Sequence, residues 1–208
     1  RLCHYPQLPN FSNIKYKLIF NSILPFDFLP DNILERCKVI YMARNPKDTA
    51  VSFYHHLKRK GHFIGDFCSF AQMFKDELLH FSYWNHLFSA WHRRAQTNLK
   101  IMWYEDMKAD TTAAVEELGQ FLQHPLSSEQ KSLLCECVRF DNMKKNENAY
   151  NNTGFNNNTT ENHFMRKGIV GDWKNHFDAK TNQEFDEWIL CKIDGSGMDE
   201  LEVINKLN

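Results

Sequence analysis

The sequence predicts an α/β fold in which a central parallel sheet is flanked by helices. Two observations carry that expectation. Lys38 to Ala43 is apolar and β-branched with no alternation, the pattern of a strand buried on both faces. It runs directly into Asn45-Pro46-Lys47-Asp48, a helix start with a capping side chain, Pro at the first helical position and an acid in the first turn. Strand, tight turn and helix in succession form the common unit of α/β proteins.

The remaining elements follow in order. Lys17 to Phe20 is a short apolar run of strand type that enters Ser22-Ile23-Leu24-Pro25. The helix begun at Asn45 extends to about Lys60 and stops at Gly61. Phe70 to His80 and Tyr83 to Arg94 are expected helices, and Leu99 to Tyr104 reads as a second buried strand. Asp110 caps a helix through Leu122, and Ser127 with Gln130 makes a capping box for the next, which reaches about Cys137. Asn142 to Asn162 is Asn-rich with Gly154 in its middle, a long polar loop over about 142–162. A last helix spans roughly Asn182 to Lys192, and Gly195 onward is expected as a loose tail. Residues 1–208 read as a single domain, with upstream sequence expected because the chain starts at Arg1 instead of Met.

Composition narrows the function classes. Apolar residues make up 42% and charged residues 25%, ordinary globular values, and the formal net charge is -1. A near-neutral chain is not drawn wholesale to nucleic acid or to an anionic membrane, so neither is an expected partner, and any anion site must be built locally. Six Cys at 3, 37, 68, 135, 137 and 191 form no disulfide framework, and reduced thiols suit a cytoplasmic protein. No metal site is expected. His55 and His56 are adjacent on a helix and diverge by about 100°, so they cannot hold one ion together.

Two segments carry chemistry. Arg44 ends a strand at the edge where ligands of open α/β sheets gather, and Ser52 on the following helix can turn its hydroxyl to the same anion. Far downstream, Arg166-Lys167-Gly168 sets two cations beside a bare backbone N–H, which suits an anion of phosphate size. The strings Ala43-Arg44-Asn45-Pro46-Lys47-Asp48, continuing to Val51-Ser52 and Tyr54, and Arg166-Lys167-Gly168 followed by Gly171-Asp172-Trp173-Lys174, together resemble the cytosolic sulfotransferases. That resemblance covers about Leu18 to Asp186. It implies a P-loop-like sulfotransferase fold and 3′-phosphoadenosine 5′-phosphosulfate (PAPS) as sulfate donor, with a hydroxyl or amine of a small molecule as acceptor. By the same resemblance Arg44, Ser52, Arg166 and Gly168 hold the 3′-phosphate and Lys167 adds positive potential. Tyr104 contacts the adenine and Phe140 stacks on it. Trp173 is read as a residue that braces the loop.

Departures from the family pattern shape the expectation. The amino-terminal string T-Y-P-K-S-G-T-T-W, which embraces the 5′-phosphosulfate, does not occur, so the fold is expected to be amino-terminally truncated. Ile23 stands where the family has its catalytic His in K-T-H-L-P, Asn21 replaces the Lys, and Val138 stands at the position of a nucleotide-bonding Thr. Losing a general base typically costs roughly 10²–10⁴-fold in rate. Two readings therefore stand: a PAPS-dependent sulfotransferase, and a catalytically impaired descendant that binds nucleotide or a partner without turnover. A nucleotide phosphotransferase is a distant third, since no G-x-x-x-x-G-K-[ST] loop occurs. Asp178-Ala179, where the family's dimer motif has Thr-Val, makes a homodimer of that type doubtful. Phe53, Tyr54, His62, Phe63, Phe81 and Tyr83 could line an acceptor pocket or belong to the core.

Overall fold

The computed structural model describes residues 19–79, 82–145 and 165–198. Strands β1 (Val39–Ala43) and β2 (Leu99–Trp103) pair in parallel, in a register that sets Val39 against Leu99 and Ala43 against Trp103. The helices in order are α1 (Ile33–Arg36), α2 (Pro46–Arg59), α3 (Phe67–Lys75), α4 (Tyr83–Trp91), α5 (Tyr104–Ala109), α6 (Thr111–Phe121), α7 (Ser128–Cys137), α8 (Phe140–Lys145) and α9 (Ala179–Ile193). Short 3₁₀ turns occupy Phe26–Phe28 and Asp172–Asn175.

Side-chain caps explain where most helices begin. Asn45 Oδ1 accepts the N–H of Lys47 at 2.8 Å and of Asp48 at 3.3 Å, with Pro46 at the first helical position. Asp66, Ser82, Asp110 and Asp178 cap α3, α4, α6 and α9 in the same way. Ser127 and Gln130 form the reciprocal capping box at α7. α9 fastens the molecule together. Its Phe185 packs with Ala50, Tyr54, Phe70 and Phe74, and its Ile189 and Ile193 pack with Ala43, Trp84, Leu87 and Trp103. Trp188 touches both groups and lies edge-on to Phe185.

Several expectations need correction. β1 is not buried on both faces: Ile40 and Met42 remain 40% and 42% exposed while Ala43 is buried, because among the described residues no layer fully covers the face that carries Ile40 and Met42. Of the proposed strand at Lys17 to Phe20, Ile19 and Phe20 are exposed and irregular, and the rest lies outside the described residues. α3 starts at Phe67 because Asp66 caps it, and ends at Lys75, short of His80. α4 stops at Trp91, where the chain tightens into turns instead of reaching Arg94. β2 ends at Trp103, and Tyr104 opens α5. The Asn-rich segment begins as helix α8, held by Asn142 Nδ2 donating to the Glu136 carbonyl at 2.8 Å, and residues 146–164 lie outside the described residues. The start of the tail is anchored: Met198 is buried in the core beside α9.

Candidate functional site

The parallel register decides the first half of the site. Ala43 and Trp103 are partners, so the residues that follow them, Arg44 and Tyr104, emerge side by side at the carboxyl edge of the sheet. The Arg44 guanidinium lies over the Tyr104 ring at 4.5 Å from its centre. Tyr83 Oη donates to the Arg44 carbonyl at 2.6 Å, and Glu105 accepts the Asn45 N–H at 2.9 Å, which pins the turn from strand to helix. Burial raises the Glu105 carboxyl above its ordinary range despite that bond. Burial also raises the Tyr104 phenol, with Arg44 opposing. Arg44 Nε is buried with no hydrogen-bond partner among the described residues.

Asp48, in the first turn of α2, joins the two sequence motifs. It is 1% exposed, and its carboxylate accepts the N–H of Gly171 at 2.7 Å and of Trp173 at 3.0 Å. Gly171 adopts φ +81°, a left-handed conformation that glycine takes without strain, and this turns both amides toward the carboxylate. Arg44 Nη2 lies 4.0 Å from the same carboxylate. Lys47, 2% exposed, sits over the Trp173 ring at 4.2 Å and donates to Asn182 Oδ1 at 2.7 Å, with Asp186 as its ion-pair partner on α9. Trp173 is edge-on to Phe177, so it braces the loop as expected.

The second motif is held by its own carboxylate. Asp172, 1% exposed, accepts from Arg166, from Lys167 at 2.7 Å and from Asn175 at 3.0 Å. Burial would raise this carboxyl, but Lys167, Arg166 and Asn175 together hold it well below the usual carboxylate range. His176 Nε2 lies 3.3 Å from Asp172 without hydrogen-bond geometry. Its ring meets that of His55 on α2 edge-on at 5.2 Å. The His55 imidazole is lowered to about 4, first by burial and then by Arg166 and His176. Arg166 therefore lies within electrostatic reach of α2, whose Ser52 is solvent-exposed one turn before His55.

Gly168 and Phe140 come together from distant segments. Gly168 has φ +64°, and a Cβ added there would collide with the Phe140 ring. Arg44, Tyr104, Phe140, Arg166, Lys167 and Gly168 are thus tied to one neighbourhood through Asp48, Asp172 and the Gly168–Phe140 contact. Val138 caps the carboxyl end of α7 and is 43% exposed. Ile23 is 78% exposed, and its carbonyl accepts from His86 Nε2 at 3.2 Å. Phe53, Tyr54 and Phe63 pack in the aromatic core, and Phe81 lies outside the described residues.

Sequence reasoning did not find Asp48, Lys47, Asp172, His55 or His86 as site residues. The only sequence signal for the first three is that they are charges inside motif strings, and their burial shows in coordinates alone. Asp178, read as a broken dimer motif, is the cap of α9 and accepts the Thr181 N–H at 2.7 Å.

A cationic cluster lies by the carboxyl ends of paired parallel strands, the edge where open α/β sheets carry their ligands. The family model "Sulfotransferase domain" matches residues 6–197, and the chain belongs to the sulfotransferase family. It is 36% identical to human Sulfotransferase 1E1 over 175 residues, covering 81% of this chain and 60% of that protein. It is 31% identical to luciferin sulfotransferase of Photinus pyralis over 183 residues, covering 83% of this chain and 50% of that protein. Among solved structures, retinol dehydratase in complex with androsterone and the inactive cofactor PAP superposes with a TM-score of 0.78 at 30% identity, over 85% of this chain and 53% of that one. Mouse sulfotransferase SULT7A1 complexed with PAP gives a TM-score of 0.73 at 28% identity, over 83% of this chain and 64% of that one. The chain thus spans half to three-fifths of the length of the two curated relatives. Its fold is the sulfotransferase α/β fold.

Proposed function

We propose that this chain binds adenosine 3′,5′-bisphosphate (PAP) and its sulfated form PAPS, and takes part in moving sulfate to a hydroxyl or amine of a small acceptor. One observation carries the reading: Asp48 fastens the Gly171–Trp173 loop to the helix that follows Arg44, bringing motifs 123 residues apart into one site. The residues fit the ligand. Arg44 Nε is buried and lacks a partner among the described residues, as expected of a donor kept for an anion. Gly168 has no Cβ to hold Phe140 away, so the aromatic ring lies directly against its backbone.

In this reading Arg44, Ser52, Arg166 and Gly168 hold the 3′-phosphate, with Lys167 adding positive potential, while Tyr104 and Phe140 contact the base. PAPS supplies the sulfuryl group. Each charge-assisted contact contributes about 1.5–3 kcal/mol, and one aromatic stack roughly 1–3 kcal/mol. Arg166 and Lys167 rest on Asp172, so nucleotide binding shares these cations with that carboxylate. Free thiols at Cys37, Cys68, Cys135, Cys137 and Cys191 are compatible with work in the cytoplasm.

Calorimetry with PAP tests the anchor. Saturable binding that Arg166→Ala weakens is expected, and equal heats for both proteins would refute the assignment. Ile23, with no titratable group, favours the second reading of a binding protein without turnover. Labelled-sulfate transfer from PAPS separates the two, since turnover abolished by Arg44→Ala ends the non-catalytic idea.

A further inference from the structure

The hydrogen bonds around His86 fix its protonation. Its Nε2 lies 3.2 Å from the Ile23 carbonyl, and a carbonyl only accepts, so Nε2 carries the proton. In the neutral ring Nδ1 is then bare, and the Tyr41 hydroxyl 2.7 Å away must donate to it. Burial lowers the affinity of His86 for a second proton and raises the Tyr41 phenol, so both groups stay neutral in ordinary buffer. Tyr41 comes from β1, three residues before Arg44 on the strand that delivers it to the site. A hydroxyl hydrogen-bonded to a bare imidazole nitrogen, with a backbone carbonyl orienting the far side of the ring, has the geometry that proton relays use. It stands beside Ile23, where the sequence offers no titratable side chain.

We infer that Tyr41 and His86 form the proton-accepting pair for a hydroxyl acceptor, replacing the base that position 23 lacks. In the step, the acceptor oxygen forms its bond to sulfur while the bond from sulfur to the 5′-phosphate oxygen breaks. The acceptor proton passes to Tyr41 Oη and the phenol proton moves to His86 Nδ1. The resulting imidazolium keeps its Nε2–H bond to the Ile23 carbonyl. The released nucleotide leaves with the electron pair of the broken bond. This inference rests on the nucleotide-site reading above.

Two measurements test it on the full chain. The first needs no turnover: ¹⁵N spectra of the imidazole with PAP bound should read His86 protonated at Nε2 and bare at Nδ1. The opposite tautomer would overturn the pair, because Nδ1 could not then take the proton. The second is sulfate transfer from PAPS to a series of para-substituted phenols of increasing basicity. Tyr41→Phe keeps the ring, and His86→Gln keeps an N–H for the Ile23 carbonyl. Losses for both variants should grow with acceptor basicity, reaching about 10²–10⁴-fold for the least acidic phenols, with PAP affinity unchanged. A uniform loss across the series, or no transfer by a wild-type chain that binds PAP, would overturn the pair. Absence of PAP binding would instead overturn the nucleotide-site reading beneath it.

Discussion

The Asp48 carboxylate accepts the Gly171 backbone N–H at 2.7 Å across 123 residues of chain. It also accepts the N–H of Trp173, so one buried side chain sets the position of an entire loop. Replacing it by Ala leaves two amides without an acceptor and frees the segment that carries Arg166 to Gly168. Each lost bond to a charged group costs about 1.5–3 kcal/mol. We expect Asp48→Ala to lower the urea midpoint and PAP affinity together. An unchanged midpoint would contradict the role.

Arg44 and Tyr104 leave the ends of adjacent strands and stack at 4.5 Å. Arg44→Ala is expected to weaken PAP binding about 10–100-fold, the equivalent of one charge-assisted bond. Arg44→Lys recovers only part of this, because an ammonium lacks the planar fork and stacks less well on the ring. Titration calorimetry at fixed ionic strength reads both changes.

Gly168 meets Phe140 where no Cβ fits. Gly168→Ala is expected to push the Phe140 ring aside and to strain a backbone at φ +64°. Phe140→Ala alone removes the stacking face, at a cost of roughly 1–3 kcal/mol in nucleotide binding. In the double variant the losses should fall short of their sum, since both act through one contact. Full additivity in a double-mutant cycle would refute the coupling.

His55 takes its proton at about pH 4 in the folded protein against about 6.5 for a free imidazole. As pH falls from about 6.5 to about 4, the unfolded chain binds a proton that the folded chain refuses. Stability should therefore fall across that window, with Arg166, Lys167 and His176 adding to the repulsion. Burial lowers His56 and His86 in the same sense, so His55→Gln should flatten the acid limb of melting temperature against pH without removing it. Asp172, held low by its cations, loses its contribution only below that window.

The starts of α2, α6 and α7 are legible in the sequence because they depend on near neighbours, whereas α3 and α9 each begin three residues before the expected Phe70 and Asn182. The caps at Asn45, Asp110 and Ser127 each satisfy amides two or three residues away, so local order alone reveals them. Arg44 at a strand end and Arg166-Lys167-Gly168 in a loop are likewise visible as candidate anion contacts by residue type and spacing. Helix ends, the burial of β1 and the helical start of the Asn-rich segment are not legible there, because each depends on what the rest of the chain lays against them.

The sequence by itself determined which side chains could meet an anion, and it determined the absence of a titratable group at position 23. Tertiary structure alone decided which charges meet one another. The parallel register seats Arg44 on Tyr104, Asp48 receives amides from a loop over a hundred residues away, and Asp172 receives both cations of its own motif. It also set His86 between Tyr41 and the Ile23 carbonyl. Long-range hydrogen bonds act over a few ångströms of space, and position along a chain does not encode that distance until the backbone has folded.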